Sequence, residues 1–99
     1  MVRTMRIARV ALGKEPQAMQ WAKEMTELLK AKHNAQASVY MDVFADYLTI
    51  RWFIESESLA TLDQGLQKVF ADQEYWQKIS KGADLFIEGS VTDRVMVPM

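Results

Sequence analysis

The sequence predicts a single α+β domain in which four strands and two helices follow one another in the order β-α-β-β-α-β. Three observations indicate this class. Two alternating stretches flank a short turn and form a hairpin, two segments carry apolar residues at helical spacing, and strand-like runs lie near both ends of the chain. The 99 residues, 49% hydrophobic and 25% charged, fit one globular domain spanning residues 1–99.

The first strand is predicted over Val2 to Leu12, where apolar and β-branched residues are mixed with arginines, and Gly13 ends the run. Pro16 suits the first turn of a helix, which then continues as far as Lys32 or His33. The apolar positions of this first helix are Met19, Ala22, Met25, Leu28 and Leu29. We expect them to pack on the sheet.

The hairpin of residues 38–54 is the strongest signal. Its two strands alternate on either side of Ala45-Asp46. If these two are the turn residues, the register places Asp42 opposite Thr49, and Tyr40 opposite Arg51. Side chains of a strand alternate between its faces, so the hairpin has two different surfaces.

The first surface of the hairpin is apolar and suits burial under helices, whereas the second is aromatic and polar together. The first comprises Val39, Met41, Val43, Leu48, Ile50, Trp52 and Ile54. The second comprises Tyr40, Asp42, Phe44, Tyr47, Thr49, Arg51 and Phe53. The mixed surface is therefore expected to line a cavity or to meet a second subunit.

A second helix follows the hairpin, with Ser56 or Ser58 as its N-cap and Gly65 beside its apolar stripe, where glycine is expected to permit close packing. The stripe consists of Leu59, Leu62, Leu66, Val69 and Phe70. Asp72 offers a fresh N-cap, so the helix is expected to break there and restart before Gly82 ends it. The last strand is predicted over Asp84 to Val97, with a bulge or bend at Gly89.

This order is that of the ferredoxin-like fold, a four-stranded antiparallel sheet with the helices on one face. With its hairpin and the segment 70–78, which looks like a broken second helix, the chain resembles the dimeric α/β-barrel superfamily. That group includes the antibiotic-biosynthesis monooxygenase, NIPSNAP, EthD-like and haem-degrading monooxygenase families. The resemblance implies a homodimer in which two sheets pack face to face and close into a barrel, with the mixed surface inside the barrel or at its rim.

The resemblance also implies a candidate site of cofactor-independent oxygenation, in which an activated phenolic substrate reacts with oxygen in an apolar pocket. Such a site needs three parts: an aromatic wall, a group that stabilises an oxyanion, and a general base. Arg51 would hold the anion, and Asp42 would be the base if burial raises its pKa. The candidate residues are Asp42 and Arg51 for catalysis, and Tyr40, Thr49, Phe53 and Trp76 for ligand binding. The alternative is that Asp42 and Arg51 form a cross-strand charge pair that stabilises the sheet or the dimer.

The arginines of the first strand have two interpretations. A spacing of three residues puts Arg6 and Arg9 on opposite faces of a regular strand. One of them would enter the barrel and bind an anionic ligand, or both would lie near strand edges or pair with Glu88 or Asp93 of the last strand.

No cofactor or metal is expected. The chain has no cysteine, and its carboxylates show no ligand-like spacing. His33 is the only histidine. Its position at the C-terminal end of the first helix predicts an exposed side chain that interacts favourably with the helix dipole. Haem-degrading members of that superfamily use an axial histidine from the second helix, and the predicted second helix of this chain contains no histidine. Asn34, the only asparagine, follows the first helix, whereas several such monooxygenases carry one on the first strand.

Net charge and hydropathy limit the classes of binding partner that are expected. A net charge of −1 with scattered lysines and arginines gives no basic field for nucleic acid. No apolar run suits a signal peptide or a membrane span, so a soluble cytoplasmic protein is expected. Two functional classes remain: a homodimer that holds an apolar or aromatic ligand in a pocket between sheet and helices, as a binding protein or an enzyme, and a non-catalytic dimerisation or ligand-binding module.

Overall fold

A computed structural model describes residues 1–44 and 47–99 of the chain. The described residues form a four-stranded antiparallel sheet in the order β2-β3-β1-β4, with helices packed on one face. The elements are β1 Val2–Arg9, α1 Glu15–His33, β2 Gln36–Asp42, β3 Thr49–Ser56, α2 Leu59–Phe70, α3 Gln73–Gly82, a 3-10 turn Ala83–Leu85 and β4 Thr92–Met96. This is the predicted ferredoxin-like α+β architecture.

The register of the predicted hairpin is confirmed. Asp42 pairs with Thr49, and Tyr40 pairs with Arg51. The predicted turn residues Ala45 and Asp46 lie outside the described residues.

The apolar surface of the hairpin faces the helices, as predicted, and its centre is Ile50, which is almost completely buried. Met41 and Val43 differ from the prediction because both are exposed, Met41 by 46%. They lie at the end of β2, an edge strand of the sheet, where the cover of the helices is incomplete.

The core forms in two parts along α1. At its N-terminal half, Ala18 and Ala22 pack with Val10, Ile50 and Leu85. At its C-terminal half, the core residues are Met25, Leu29, Val69 and Tyr75. One stripe of a single helix thus joins the sheet to α3 and the 3-10 turn at one end, and to α2 and α3 at the other.

The break between α2 and α3 is confirmed at Asp72, whose carboxylate accepts a hydrogen bond from the backbone N–H of Glu74 at 3.0 Å. Ser58, one of the two predicted caps, begins α2 by accepting from the N–H of Thr61 at 3.1 Å. Both helix starts therefore follow from short polar side chains that satisfy unpaired N–H groups.

The predicted last strand is wrong in its first half. Residues 83–85 continue from α3 as a 3-10 turn, and Phe86 makes only an isolated bridge to Val10. Gly89 then adopts a φ of +79° in a tight turn, in which the N–H of Ser90 donates to the carbonyl of Ile87. Regular pairing with β1 begins only at Thr92.

The prediction for Gly65 is also wrong, because a Cβ atom at Gly65 would meet nothing within 4 Å. Close packing occurs instead at Gly82, against the indole ring of Trp21. Both glycines lie in helices, and only the tertiary structure distinguishes them.

Candidate functional site

The face of the sheet that points away from the helices, here called the open face, carries alternate residues of every strand. It includes most of the predicted site. The open-face residues that matter below are Met5, Ile7, Arg9, Tyr40, Asp42, Thr49, Arg51 and Phe53. Arg6 lies on the other face and pairs with Asp93 through two hydrogen bonds of 2.7 and 2.9 Å, which confirms that Arg6 and Arg9 point in opposite directions.

Asp42 and Arg51 form a close ion pair on the open face. The Arg51 Nε donates to the two carboxylate oxygens at 3.0 and 3.2 Å, and its Nη2 donates to Oδ2 at 3.0 Å. Each side chain is 35% exposed. The hydrogen bonds from Arg51 lower the pKa of Asp42, whereas a general base would need a raised pKa. The arrangement therefore matches the cross-strand charge pair of the alternative interpretation.

The ion pair borders a cavity of about 790 Å³ on the open face, here called the open-face cavity. Arg9 and Glu88 add one charge of each sign to its wall, and hydroxyl groups come from Thr49, Ser90 and Thr92. The lining is therefore mixed, because the side chains of Ile7 and Ile87 lie beside these charged and hydroxyl groups. Tyr40 and Phe53 stand beside it, with their rings edge to face at 5.6 Å, and Tyr40 remains 62% exposed.

Trp76 is not part of this group. It lies on α3, on the helix side of the sheet, where its ring contacts Phe70 and Tyr75 at centroid distances of 5.7 and 5.2 Å. Its Nε1 donates to the carbonyl of Phe70 at 2.8 Å. The structure thus brings together Asp42, Thr49 and Arg51, sets Tyr40 and Phe53 next to them, and places Trp76 elsewhere.

A second cavity of about 660 Å³ lies between the sheet and α3, here called the aromatic cavity. Its walls include Trp21 of α1, Trp52 of β3 and Phe86, whose rings make three edge-to-face pairs at 5.4 to 6.1 Å. Ala8 and Ile79 complete the apolar part of the lining, while Arg6, Asp84 and Glu88 supply charge. Strand periodicity correctly assigns Trp52 to the helix-facing surface of the hairpin, but it does not reveal a cavity beside it.

The two indole groups of the aromatic cavity differ in hydrogen bonding. The Trp21 Nε1 donates to the carbonyl of Lys78 at 2.8 Å. The Trp52 Nε1 is buried and has no acceptor among the described residues. A buried donor left without a partner costs about 1–3 kcal/mol.

One short segment separates the two cavities, because Ile87, Glu88 and Gly89 line both. The segment is held to β1 at two points. The N–H of Ile87 donates to the carbonyl of Arg9 at 2.9 Å, and the N–H of Arg9 donates to Ser90 Oγ at 3.1 Å. Glu88 is therefore available to either cavity.

His33 differs from its prediction, because its side chain is only 11% exposed. Its Nε2 lies 2.8 Å from Asp72 Oδ2, and Lys32 Nζ donates to Asp72 Oδ1 at 2.8 Å. These hydrogen bonds, first that from Lys32 and then that from His33, lower the pKa of Asp72 to about 2. The N-cap residue of α3 thus also fixes the C-terminal end of α1.

Within residues 1–44 and 47–99, no group of three or more histidine and carboxylate side chains could hold a metal ion. None of the helices described is long and apolar enough to cross a membrane.

No protein-family model matches the sequence, and no curated protein matches it. Solved structures do match. A NIPSNAP family protein of unknown function from Agrobacterium tumefaciens is 17% identical, with a TM-score of 0.81 over 99% of this chain and 87% of that one. An uncharacterised NIPSNAP domain protein from Burkholderia xenovorans is 13% identical, with a TM-score of 0.82 over 100% and 95%.

A proposed antibiotic biosynthesis monooxygenase from Nitrosomonas europaea is 10% identical, with a TM-score of 0.76 over 100% of this chain and 99% of that one. At these identities the likeness concerns the fold. The chain has the ferredoxin-like fold that NIPSNAP family proteins share with antibiotic biosynthesis monooxygenase-like proteins.

Proposed function

We propose that this protein is a homodimer that binds an aromatic small molecule in the aromatic cavity between its sheet and its helices. The observation that carries the proposal is Trp52, which lines that cavity and whose indole N–H is buried without an acceptor among the described residues. If a small shift of the ring opened this buried N–H to the cavity, an oxygen atom of a bound ligand would accept from it and remove the cost of the unpaired donor.

The lining of the aromatic cavity favours a planar aromatic ligand with one acceptor oxygen. Trp21, Trp52 and Phe86 present ring faces and edges to it, and aromatic side chains bind flat apolar molecules through stacked and edge-to-face contacts. The nearest cation, Arg6, is already engaged by Asp93. A volume of about 660 Å³ is also within the usual range of small-molecule sites.

The dimer would form through the open face. That face combines apolar and aromatic side chains such as Met5, Ile7 and Phe53 with internally neutralised ion pairs such as Arg51–Asp42. A second copy packed on it would bury the exposed ring of Tyr40 and would enclose the open-face cavity. This is the arrangement that the resemblance to dimeric α/β barrels implies.

Native mass spectrometry tests the dimer. At micromolar concentration we expect a dimer for the wild-type protein and a monomer for Tyr40→Arg, because a charge buried at the interface without a partner is strongly unfavourable. Leu12→Arg is the matched control, since Leu12 is exposed in the loop after β1. A wild-type monomer would contradict the proposed dimer.

Tryptophan fluorescence tests the ligand. In a Trp76→Phe background, which removes the tryptophan outside the cavity, 1-naphthol should quench the remaining emission and bind more tightly than naphthalene. Trp52→Phe keeps a ring and removes the N–H, so it should weaken 1-naphthol binding about three- to tenfold, the usual worth of one hydrogen bond. Naphthalene binding should change little. Equal losses for both ligands would contradict the role of the N–H.

Cofactor-independent oxygenation is a second candidate, favoured by the fold likeness to the proposed monooxygenase of Nitrosomonas europaea. In this reaction 1-naphthol and O₂ would give 1,4-naphthoquinone and water. The base would come from Asp84 or Glu88, the carboxylates at the aromatic cavity, since Asp42 lies across the sheet in an ion pair. An oxygen electrode should then record uptake that Glu88→Gln or Asp84→Asn reduces and Asp42→Asn does not. Binding without uptake would leave a ligand-binding module.

A further inference from the structure

A third cavity, here called the His33 cleft, lies between the end of α1, α2 and the end of β3. Its volume is about 360 Å³. The floor is aliphatic and consists of Leu29, Ile54, Leu62 and Val69. It is distant in the fold from the aromatic cavity, with which it shares no lining residue.

His33 lines this cleft together with two carboxylates, Glu55 and Glu57, and is its one imidazole. Its Nε2 faces Asp72 Oδ2 at 2.8 Å. Because Asp72 is ionised and can only accept hydrogen bonds there, the neutral imidazole carries its proton on Nε2 and keeps a lone pair on Nδ1. None of the described residues donates a hydrogen bond to Nδ1, and Nδ1 is not among the fully buried unpaired atoms. His33 lines the cleft, and its Nδ1 is an acceptor without a donor among the described residues.

Gly65 is a second, independent feature of the cleft. Glycine in the interior of a helix is destabilising relative to alanine, and Gly65 lies in the middle of α2. No close packing among the described residues requires it, because a Cβ atom there would meet none of their atoms within 4 Å. Since Gly65 lines the His33 cleft, the missing side chain leaves room in it.

We propose that the His33 cleft is a second ligand site, which takes a compact neutral aliphatic alcohol whose hydroxyl donates to His33 Nδ1 and whose hydrocarbon body lies on Leu29, Leu62 and Val69. The aliphatic floor favours a saturated body, and an acceptor without a donor among the described residues favours a hydroxyl. Gly65 gives the ligand space. This site is separate from the proposed aromatic site and does not depend on it.

Nuclear magnetic resonance of the isotope-labelled protein tests the proposal, because the single histidine gives unambiguous ring signals. The probe is cyclohexanol, and the matched probe is cyclohexyl methyl ether, which keeps the oxygen and lacks the donor. We expect the histidine in the Nε2–H form. Cyclohexanol should shift the Nδ1 signal and the methyl signals of Leu29, Leu62 and Val69 in a saturable manner, and it should bind about three- to tenfold more tightly than the ether.

Gly65→Leu should abolish these shifts by filling the cleft. Gln64→Leu adds the same side chain to the same helix at an exposed position outside the cleft and should leave them unchanged. Equal binding of alcohol and ether, a histidine protonated on Nδ1, or shifts confined to Trp21 and Ile79 of the aromatic cavity would each overturn the proposal. The first two of these outcomes are read on the wild-type protein and need no variant to fold.

Discussion

The indole ring of Trp21 lies so close to Gly82 that a Cβ atom at position 82 would come within 2.5 Å of its Cζ2 and Nε1 atoms. The ring cannot move aside cheaply. Its Nε1 donates to the carbonyl of Lys78 at 2.8 Å, and its edges and faces pack against Trp52 and Phe86. Gly82 thus sets how closely α3 approaches α1, and with it the shape of the aromatic cavity.

Gly82→Ala should lower the free energy of unfolding by about 1–3 kcal/mol, the usual cost of overpacking a filled site. Gly65→Ala should raise it by about 0.5–1 kcal/mol, because its new methyl group meets no neighbour and alanine favours the helix. Urea denaturation of both variants gives the comparison. If both substitutions changed the free energy of unfolding in the same direction, the two glycines would not differ in packing as described.

The start of α2 depends on Ser58 and not on Ser56. Ser58 Oγ accepts a hydrogen bond from the N–H of Thr61 at 3.1 Å, whereas Ser56 is the last residue of β3. Ser58→Ala should therefore lower the free energy of unfolding by about 1 kcal/mol. Ser56→Ala is the matched control and should change it by less than about 0.5 kcal/mol. Thermal or urea unfolding of the pair distinguishes the two caps that the sequence leaves open.

Asp42 and Arg51 should contribute little to stability and nothing to the aromatic site. Both are 35% exposed, and exposed ion pairs couple by about 0–1 kcal/mol because solvent screens them. A double-mutant cycle with Asp42→Asn and Arg51→Ala should give a coupling energy in that range for the monomer. Binding of 1-naphthol should be unchanged in both variants, since the pair lies on the opposite face of the sheet. If Asp42→Asn lost 1-naphthol binding while Arg51→Ala kept it, Asp42 would have to be a residue of the ligand site after all.

Local sequence signals predict the hairpin and the helix starts well. Alternation combined with a fixed turn length determines a register, so the contact between Asp42 and Arg51 on the open face follows from the sequence. The break at Asp72 also follows, because an aspartate N-cap acts on the backbone two residues away.

Features that depend on contacts distant in sequence could not be predicted in this way. The run Leu85-Phe86-Ile87 has strand propensity, yet Phe86 is packed against Trp21 and Trp52 and the chain turns at Gly89 before pairing with β1. The sequence predicts Trp76 as a ligand-binding residue with Tyr40 and Phe53, whereas the structure places it apart from them, because the orientation of α3 is not encoded in its own periodicity. The unpaired Trp52 N–H likewise depends on which carbonyl groups surround it in the folded chain.

The stability of the fold in acid should depend on Asp72. Hydrogen bonds from Lys32 and His33 lower the pKa of its carboxyl from 3.8 to about 2. The folded state therefore binds the proton less readily than the unfolded state, so the stabilisation is complete above a pH of about 4 and is lost as the pH falls towards about 2. Asp72→Asn should unfold at a lower urea concentration than the wild type at pH 6, and the difference should shrink steadily on acidification through that window.

Asp63→Asn provides the control for this prediction. Asp63 is also on the helical layer and is exposed, and among the described residues its carboxylate accepts a hydrogen bond from the neutral amide of Gln67 alone, at 3.0 Å. It should show a small difference from the wild type with little change over the same pH range. A gap between wild type and Asp72→Asn that stays constant from pH 6 to pH 3 would mean that Asp72 stabilises the fold through packing and capping alone, because an asparagine side chain can cap a helix at any pH.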